Sequence, residues 1–450
     1  MLAYGLGGFP LGFAGFPLAV TIPQFYGGDL GIDAAVVGLV VLFARVVDVL
    51  TDPLVGIASD RSRSRLGQRK PFVLLGIPLF MLAIWMLFVP GHDVSALHFG
   101  VWIVAAYLGW TLIELPYDAW GADLTNDYKI RTRLMGTKAG FGQLAAILAV
   151  GVPFLATFIL GISGNREVLQ LTAIVLIAVT AVAFIPALIG LPVTRRAPDA
   201  VEQPTTVRRA LGALMRNGAF LRLGMLWGLT FIGVAMFTTV SLPWMKNVLG
   251  LPESSAYGVL LAQSLMMLAG IPLWIFVANR IGKHLAVSLT LAVGGVLSIL
   301  FFLLIIESAD PFWTVLSFGI TVGFVAGGFV SVPPAMIPDI ADVDDFLVGK
   351  RRVGFLYGVM GIIAKLAIGI GVALATATVG LLDFDMAEGA STGAGTGKMI
   401  TALAVLVPGV TYMAAAVLLW RYPITEKRLA VVHKALQRRD SITRRIQKAQ

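Results

Sequence analysis

The stretch VVGLVVLFARVVDVLTDPLVGIASDRSRSRLGQRK, residues 36–70, joins a long apolar run, three charges set inside it and a short basic loop. A helix needs about 20 predominantly apolar residues to cross a bilayer core, and this run, counted over 34–59, is long enough. The loop that follows holds Arg61, Arg63, Arg65, Arg69 and Lys70 against one acid, Asp60. Excess Lys and Arg in short loops marks the cytoplasmic side, so the segment reads as a membrane helix that emerges into the cytoplasm.

The rest of the chain extends this pattern. Of 450 residues, 58% are hydrophobic and 13% charged, with a mean hydropathy of +0.87, far from soluble globular composition. There are no cysteines and four scattered histidines, which excludes disulfides and gives no zinc motif. The net charge of +9 sits in short loops instead of on one soluble face, so no nucleic-acid partner is expected. Apolar runs fall at 4–27, 34–59, 71–90, 98–122, 134–162 and 168–193, then at 219–248, 255–279, 285–306, 311–337, 355–383 and 398–420. The expectation is an all-α membrane protein of twelve transmembrane helices in two six-helix bundles, 1–193 and 219–422. A cytoplasmic linker with an amphipathic helix, 194–218, joins them, and a basic cytoplasmic tail, 423–450, follows. No removable signal peptide is expected.

Loops 60–70, 125–133, 194–218, 280–284 and 345–354 and the tail carry nearly all the basic residues, which places both termini in the cytoplasm. A shift of 218 positions sets Pro116, Asp127, Arg133 and Gly136 on Pro334, Asp345, Arg351 and Gly354; a shift of 219 sets Pro53, Asp60 and Arg61 on Pro272, Asn279 and Arg280. Equal orientation of the copies means a parallel repeat about an axis along the membrane normal, with solute expected between the halves.

Arg45, Asp48 and Asp52 are spaced three and four apart and share one helix face. Each charge costs about 2.5–3.5 kcal/mol at the bilayer centre, so each needs a partner or a water-filled cavity. Two carboxylates one turn apart cannot both ionise cheaply unless a cation shares them. Hard cations take oxygen ligands, and Thr51 and Thr111 add hydroxyls, so Asp48, Thr51, Asp52 and Thr111 are the candidate cation site for Na⁺ or H⁺. No other cofactor or metal is expected. Arg45, Glu114 and Lys365 are coupling candidates: Glu114 lies one turn beyond Thr111, and Lys365 has no acid in its own helix. Lys138 reads as a ligand or as a snorkelling base, and Asp118 as a gate or a solute ligand. Asp60, among its bases, suits a cytoplasmic gate together with Arg61, Arg133 and Arg351.

Three stretches, RVVDVLTDPLVGIASDRSRSRLGQRKPF, ELPYDAWGADLTNDYKIRTRLMG and PDIADVDDFLVGKRRVGFLYG, resemble the glycoside–pentoside–hexuronide:cation symporter family of the major facilitator superfamily. The loop 56–70 is also similar to the facilitator signature after the second helix. The resemblance implies that Asp48 and Asp52 bind Na⁺, Li⁺ or H⁺, that Thr111 is the cation-site threonine and that Lys365 is the coupling lysine. It puts Thr51 where the family's melibiose permeases have asparagine. It aligns Gly12 and Asp118 with the family's solute site, with Leu11 and Gly12 in place of a charged pair and Asp118 in place of a tryptophan, and it puts Glu114 where cation and solute sites meet; Tyr117 and Lys138 are further solute-site candidates. Melibiose itself is therefore not the expected solute. Phe9, Phe13 and Phe16 make the first helix apolar, and they are expected to face lipid.

The function expected is cation-coupled symport of a sugar or glycoside by alternating access, by a monomer in the bacterial cytoplasmic membrane. The alternatives are a cation-coupled carrier of an amphipathic solute such as a lysolipid, and a non-transporting sensor or scaffold with a transporter fold. No nucleophile stands beside a base and no metal motif is present, so an enzyme is not expected. In the tail, Leu429, Val432 and Leu436 share one face with bases opposite, which reads as a surface helix lying on anionic lipid.

Overall fold

The computed structural model describes residues 1–91, 94–158, 165–192, 212, 214–308, 310–348, 352–382, 384 and 393–449, and every regular element among them is helical. The long helices are α1 (Gly8–Phe16), α2 (Ala34–Arg61), α3 (Lys70–Phe88), α4 (Ala96–Asp123), α5 (Tyr128–Phe158), α6 (Asn165–Gly190) and α7 (Gly218–Pro243). They continue as α8 (Glu253–Ile281), α9 (Lys283–Glu307), α10 (Pro311–Ser331), α11 (Ile337–Val348), α12 (Val353–Leu381), α13 (Val407–Leu419) and α14 (Glu426–Ala449). Most of the linker 194–218, with Arg195, Arg196, Arg208 and Arg209, lies outside the described residues, as does the gate candidate Arg351.

Among the described residues, nine helices are long and apolar enough to cross a membrane. The other candidate spans depart for legible reasons. α2 is long enough but carries Arg45, Asp48 and Asp52, and α5 carries Arg131, Arg133 and Lys138. The first rod keeps right-handed helical angles at its junctions Leu6, Pro17, Ile22 and Phe25, and its hydrogen bonding shifts to π turns at Pro17–Thr21 and Phe25–Asp29, next to Pro17 and Pro23, which lack backbone donors. Helix starts follow capping chemistry. Ser95 accepts from the His98 N–H, Asn217 from Ala219 and Phe220, and Asp310 from Phe312. Gly282, at φ 95°, makes the tight turn between α8 and α9 in a backbone region that favours glycine.

The chain divides into two compact units: Met1–Glu202 with Arg352–Gly361, and Gln203–Arg351 with Ile362–Gln450. In the first, Gly12 brings α1 against the backbone of α5, where a side-chain carbon would overlap the Gly142 carbonyl. The start of α12 packs on α2 through a glycine stripe: Gly354 meets Gly56, Gly358 meets the Asp52 carbonyl and Pro53, and Gly361 faces the Asp52 carboxylate. In the second, α8 and α10 meet backbone to backbone through Gly270, Gly323 and Gly327, and Trp244, Phe318 and Leu403 belong to an apolar core.

Two expectations change. Phe13 is fully buried, so only Phe16 of the buried-versus-lipid trio is clearly exposed, at 44%. The apolar face of the tail is not free for lipid either. Leu429 is 1% exposed, and α14 packs on α11, with the His433 Nε2 2.9 Å from Asp342 and the Arg439 guanidinium 2.9 Å from Asp345. Asp342 and Asp345 hold the tail's His433 and Arg439, and Leu429 is covered beside them, while Asp339 is paired with buried Lys283 at 2.7 Å.

Candidate cation and solute site

α2 and α4 bring three of the four cation candidates, Asp48, Asp52 and Thr111, together in the first unit. The Thr111 Oγ1 lies 3.0 Å from a carboxylate oxygen of Asp48 and 3.0 Å from one of Asp52. All three are buried, Asp48 to 4%, Asp52 to 2% and Thr111 to 1% exposure. A hydroxyl has one hydrogen to donate, so it satisfies one carboxylate while the other faces its lone pairs. A proton, or a small cation held by the three oxygens, relieves that conflict. The site thus has the chemistry of a monovalent cation or proton station.

Around this centre, Arg45 sits 3.7 Å from Asp48 and stacks its guanidinium 4.3 Å from the Tyr107 ring centre, with 43% of its side chain exposed. The Thr51 hydroxyl donates to the Asp48 backbone carbonyl at 3.1 Å, which leaves its lone pairs as the ligand it could offer. One turn along α4, Glu114 accepts a 2.6 Å hydrogen bond from the Trp110 indole N–H. Trp110 is missing from the sequence reading, although its i, i+4 spacing to Glu114 announces the pair. Lys365 lies half-buried on α12, one turn beyond Gly361.

Asp118 and Lys138, from α4 and α5, form an ion pair with 17% and 14% of their side chains exposed. Lys138 also lies 5.9 Å from the Tyr117 ring centre. Tyr117 stacks on Tyr4 at 4.8 Å and donates its hydroxyl to the Tyr4 carbonyl, and the Tyr4 hydroxyl reaches Asp118 at 3.5 Å and the Met135 sulfur at 3.4 Å. Lys138 is thus an intramembrane partner of Asp118. Tyr4 was not found from sequence, since its link to Tyr117 spans 113 residues and no spacing rule reaches that far.

At the loop end of α2, Asp60 accepts from the backbone N–H groups of Gly354 and Phe355 at 3.0 and 2.9 Å, capping the start of α12. Arg69 pairs with Asp60 at 2.6 Å and Asp123 at 3.3 Å, and donates to the Ser59 hydroxyl at 2.8 Å. Burial lowers the Arg69 pKa, but Asp60 and Asp123 outweigh it and the net shift is upward, so Arg69 stays a cation. Of the gate candidates, Asp60 is in this network, while Arg61 and Arg133 are exposed. Arg69 and Asp123 complete it, and neither was singled out from sequence.

A family model described as MFS/sugar transport protein matches residues 3–426. The putative glycoside/cation symporter YagG of Escherichia coli is 24% identical over 97% of this chain and 94% of its own. Sodium-dependent lysophosphatidylcholine symporter 1 of Xenopus tropicalis is 23% identical over 97% of this chain and 89% of its own. Among solved structures, a bacterial homologue of the iron transporter ferroportin in the outward-facing state covers 94% of this chain and 97% of its own, with a TM-score of 0.66 at 15% identity. That last likeness speaks to fold alone.

Proposed function

The chain belongs to the MFS/sugar transport protein family, and from that premise we propose that Asp48, Asp52 and Thr111 bind the ion that drives its solute. Membership makes it an integral, multi-pass secondary transporter of the major facilitator fold and not an enzyme, and the resemblance to glycoside–pentoside–hexuronide:cation symporters holds. The observation that carries the ion reading is the single Thr111 hydroxyl set between two buried carboxylates. Arg45 balances one of the two carboxylate charges, so a single proton or Na⁺ balances the other and removes a large intramembrane charge penalty. Glu114, one turn away on α4, transmits that occupancy to the solute, and Lys365 is the coupling lysine that the family resemblance implies. The coupling ion is Na⁺ or H⁺, and no other cofactor is needed.

The solute is a glycoside or related sugar. The Asp118–Lys138 pair supplies its hydrogen-bonding groups, whereas Tyr117 is fully buried against Tyr4 and Gly12 packs on the α5 backbone, so those two shape the wall behind the pair instead of touching solute. The chain works as a monomer in the bacterial cytoplasmic membrane, with both termini inside. Uptake of a panel of radiolabelled glycosides into proteoliposomes under an imposed Na⁺ or H⁺ gradient tests the reading. Asp52→Asn is expected to abolish gradient-driven accumulation, and accumulation equal to the parent protein's overturns the ion assignment.

A second reading, a carrier of an amphipathic solute, draws on the lysophosphatidylcholine symporter relative and on Leu11 and Gly12, which put no charge in the first helix. Competition of lysophosphatidylcholine against methyl glycosides in the same vesicles separates the two. Displacement by the lysolipid alone favours this second reading.

A further inference from the structure

The tail helix α14 presents two faces with different chemistry. One is docked on α11 through Leu429, His433 and Arg439, as described above. On the other, Lys427, Val431, Lys434 and Arg438 follow one another at spacings of four, three and four, so at 100° per residue they form one stripe opposite the docked face. All four are exposed, Val431 to 68%. The ion pairs to Asp342 and Asp345 are made by His433 and Arg439, which lie outside the stripe.

We propose that this stripe binds the anionic headgroups of the bilayer leaflet at which α13 ends. Three observations favour that partner. Only residues 420–425 separate the end of α13 at Leu419 from the start of α14, and six residues span at most about 20 Å even when fully extended. Within that connection Trp420 is 73% exposed, and tryptophan at the end of a membrane helix settles at the headgroup level. Finally, Val431 puts an exposed apolar side chain among the bases, the mixture that suits an interfacial face more than a purely solvated one. The apolar-face reading of the tail is thereby replaced by an electrostatic one. Because the opposite face grips Asp342 and Asp345, lipid charge acts on α11, the helical continuation of the tenth span.

The chain lacks cysteine, so Val431→Cys creates a single labelling site for a fluorophore. The labelled protein is reconstituted in phosphatidylcholine alone or mixed with phosphatidylglycerol, and quenching by headgroup spin-labelled lipid is read. Quenching is expected to rise in the anionic bilayer and to fall back when salt screens the charges. Each lysine near a charged leaflet is worth about a fivefold change in the bound-to-free ratio, so Lys427→Gln with Lys434→Gln is expected to return quenching to the neutral-bilayer level. Equal quenching in both bilayers, or quenching indifferent to the two substitutions, overturns the proposal. The measurement needs neither solute nor ion gradient, so its outcome is separate from that of the transport reading.

Discussion

The α2–α4 pair of the first unit and the α8–α10 pair of the second are repeat counterparts that meet in different ways. Under the shifts of 219 and 218, Asp48, Asp52 and Thr111 fall on Met267, Ile271 and Phe329. In the second unit the two helices approach through Gly270, Gly323 and Gly327, close enough that a side-chain carbon at any of them would strike the facing backbone. In the first unit the corresponding region holds two buried carboxylates and a hydroxyl. The repeat therefore does not need charge to hold this helix pair together. The polar cluster costs insertion energy that its counterpart avoids, which favours a functional role over a structural ion network.

That contrast can be broken in several places. The largest effect is expected at Asp48 and Asp52: either change to Asn should lower ion-driven accumulation by about 100-fold, equivalent to about 2.7 kcal/mol, while Met267→Ala leaves it within about twofold. Uptake in proteoliposomes reads both, and an equal loss at Met267 would erase the asymmetry. Next, Gly323→Leu should destabilise the protein by about 2.5 kcal/mol through overpacking, whereas Gly140→Leu, which has open space around it, should not. Thermal unfolding in detergent compares the two. Asp60→Asn removes the charge that pairs with buried Arg69 and is expected to cost about 2 kcal/mol in the same unfolding assay. Smallest is Thr111→Val, which keeps the shape and removes the hydroxyl; ion affinity should fall about tenfold, or about 1.4 kcal/mol, with an unchanged melting temperature.

The twelve-helix fold is legible because membrane helices follow from composition along about 20 residues, and each apolar run has a helix at its place. The buried Asp48–Asp52–Thr111 cluster is legible for a related reason. Asp48 and Asp52 lie one turn apart, and a charge in an apolar run stands out by its cost. Contacts made across the chain are less so. Lys138 reads as a snorkelling base until α5 sets it beside Asp118, and Asp123 is one more cytoplasmic acid until Arg69 folds back onto it from 54 residues away. The docking of α14 is missed because an amphipathic helix has the same pattern whether its apolar face meets lipid or protein. The one available signal was the concentration of Asp339, Asp342, Asp344 and Asp345 on a side otherwise rich in bases.

The central claim is that the α2–α4 carboxylates hold the driving ion, and ion binding without solute tests it most directly. Purified protein in lightly buffered detergent is titrated with Na⁺ while bound ²²Na⁺ and released protons are followed. Saturable Na⁺ binding that displaces protons in the parent protein, lost in Asp48→Asn and Asp52→Asn and weakened about tenfold in Thr111→Val, is the predicted result. Proton uptake at the same residues with no Na⁺ effect assigns H⁺ as the ion. Ion binding that survives intact in both Asn variants contradicts the claim.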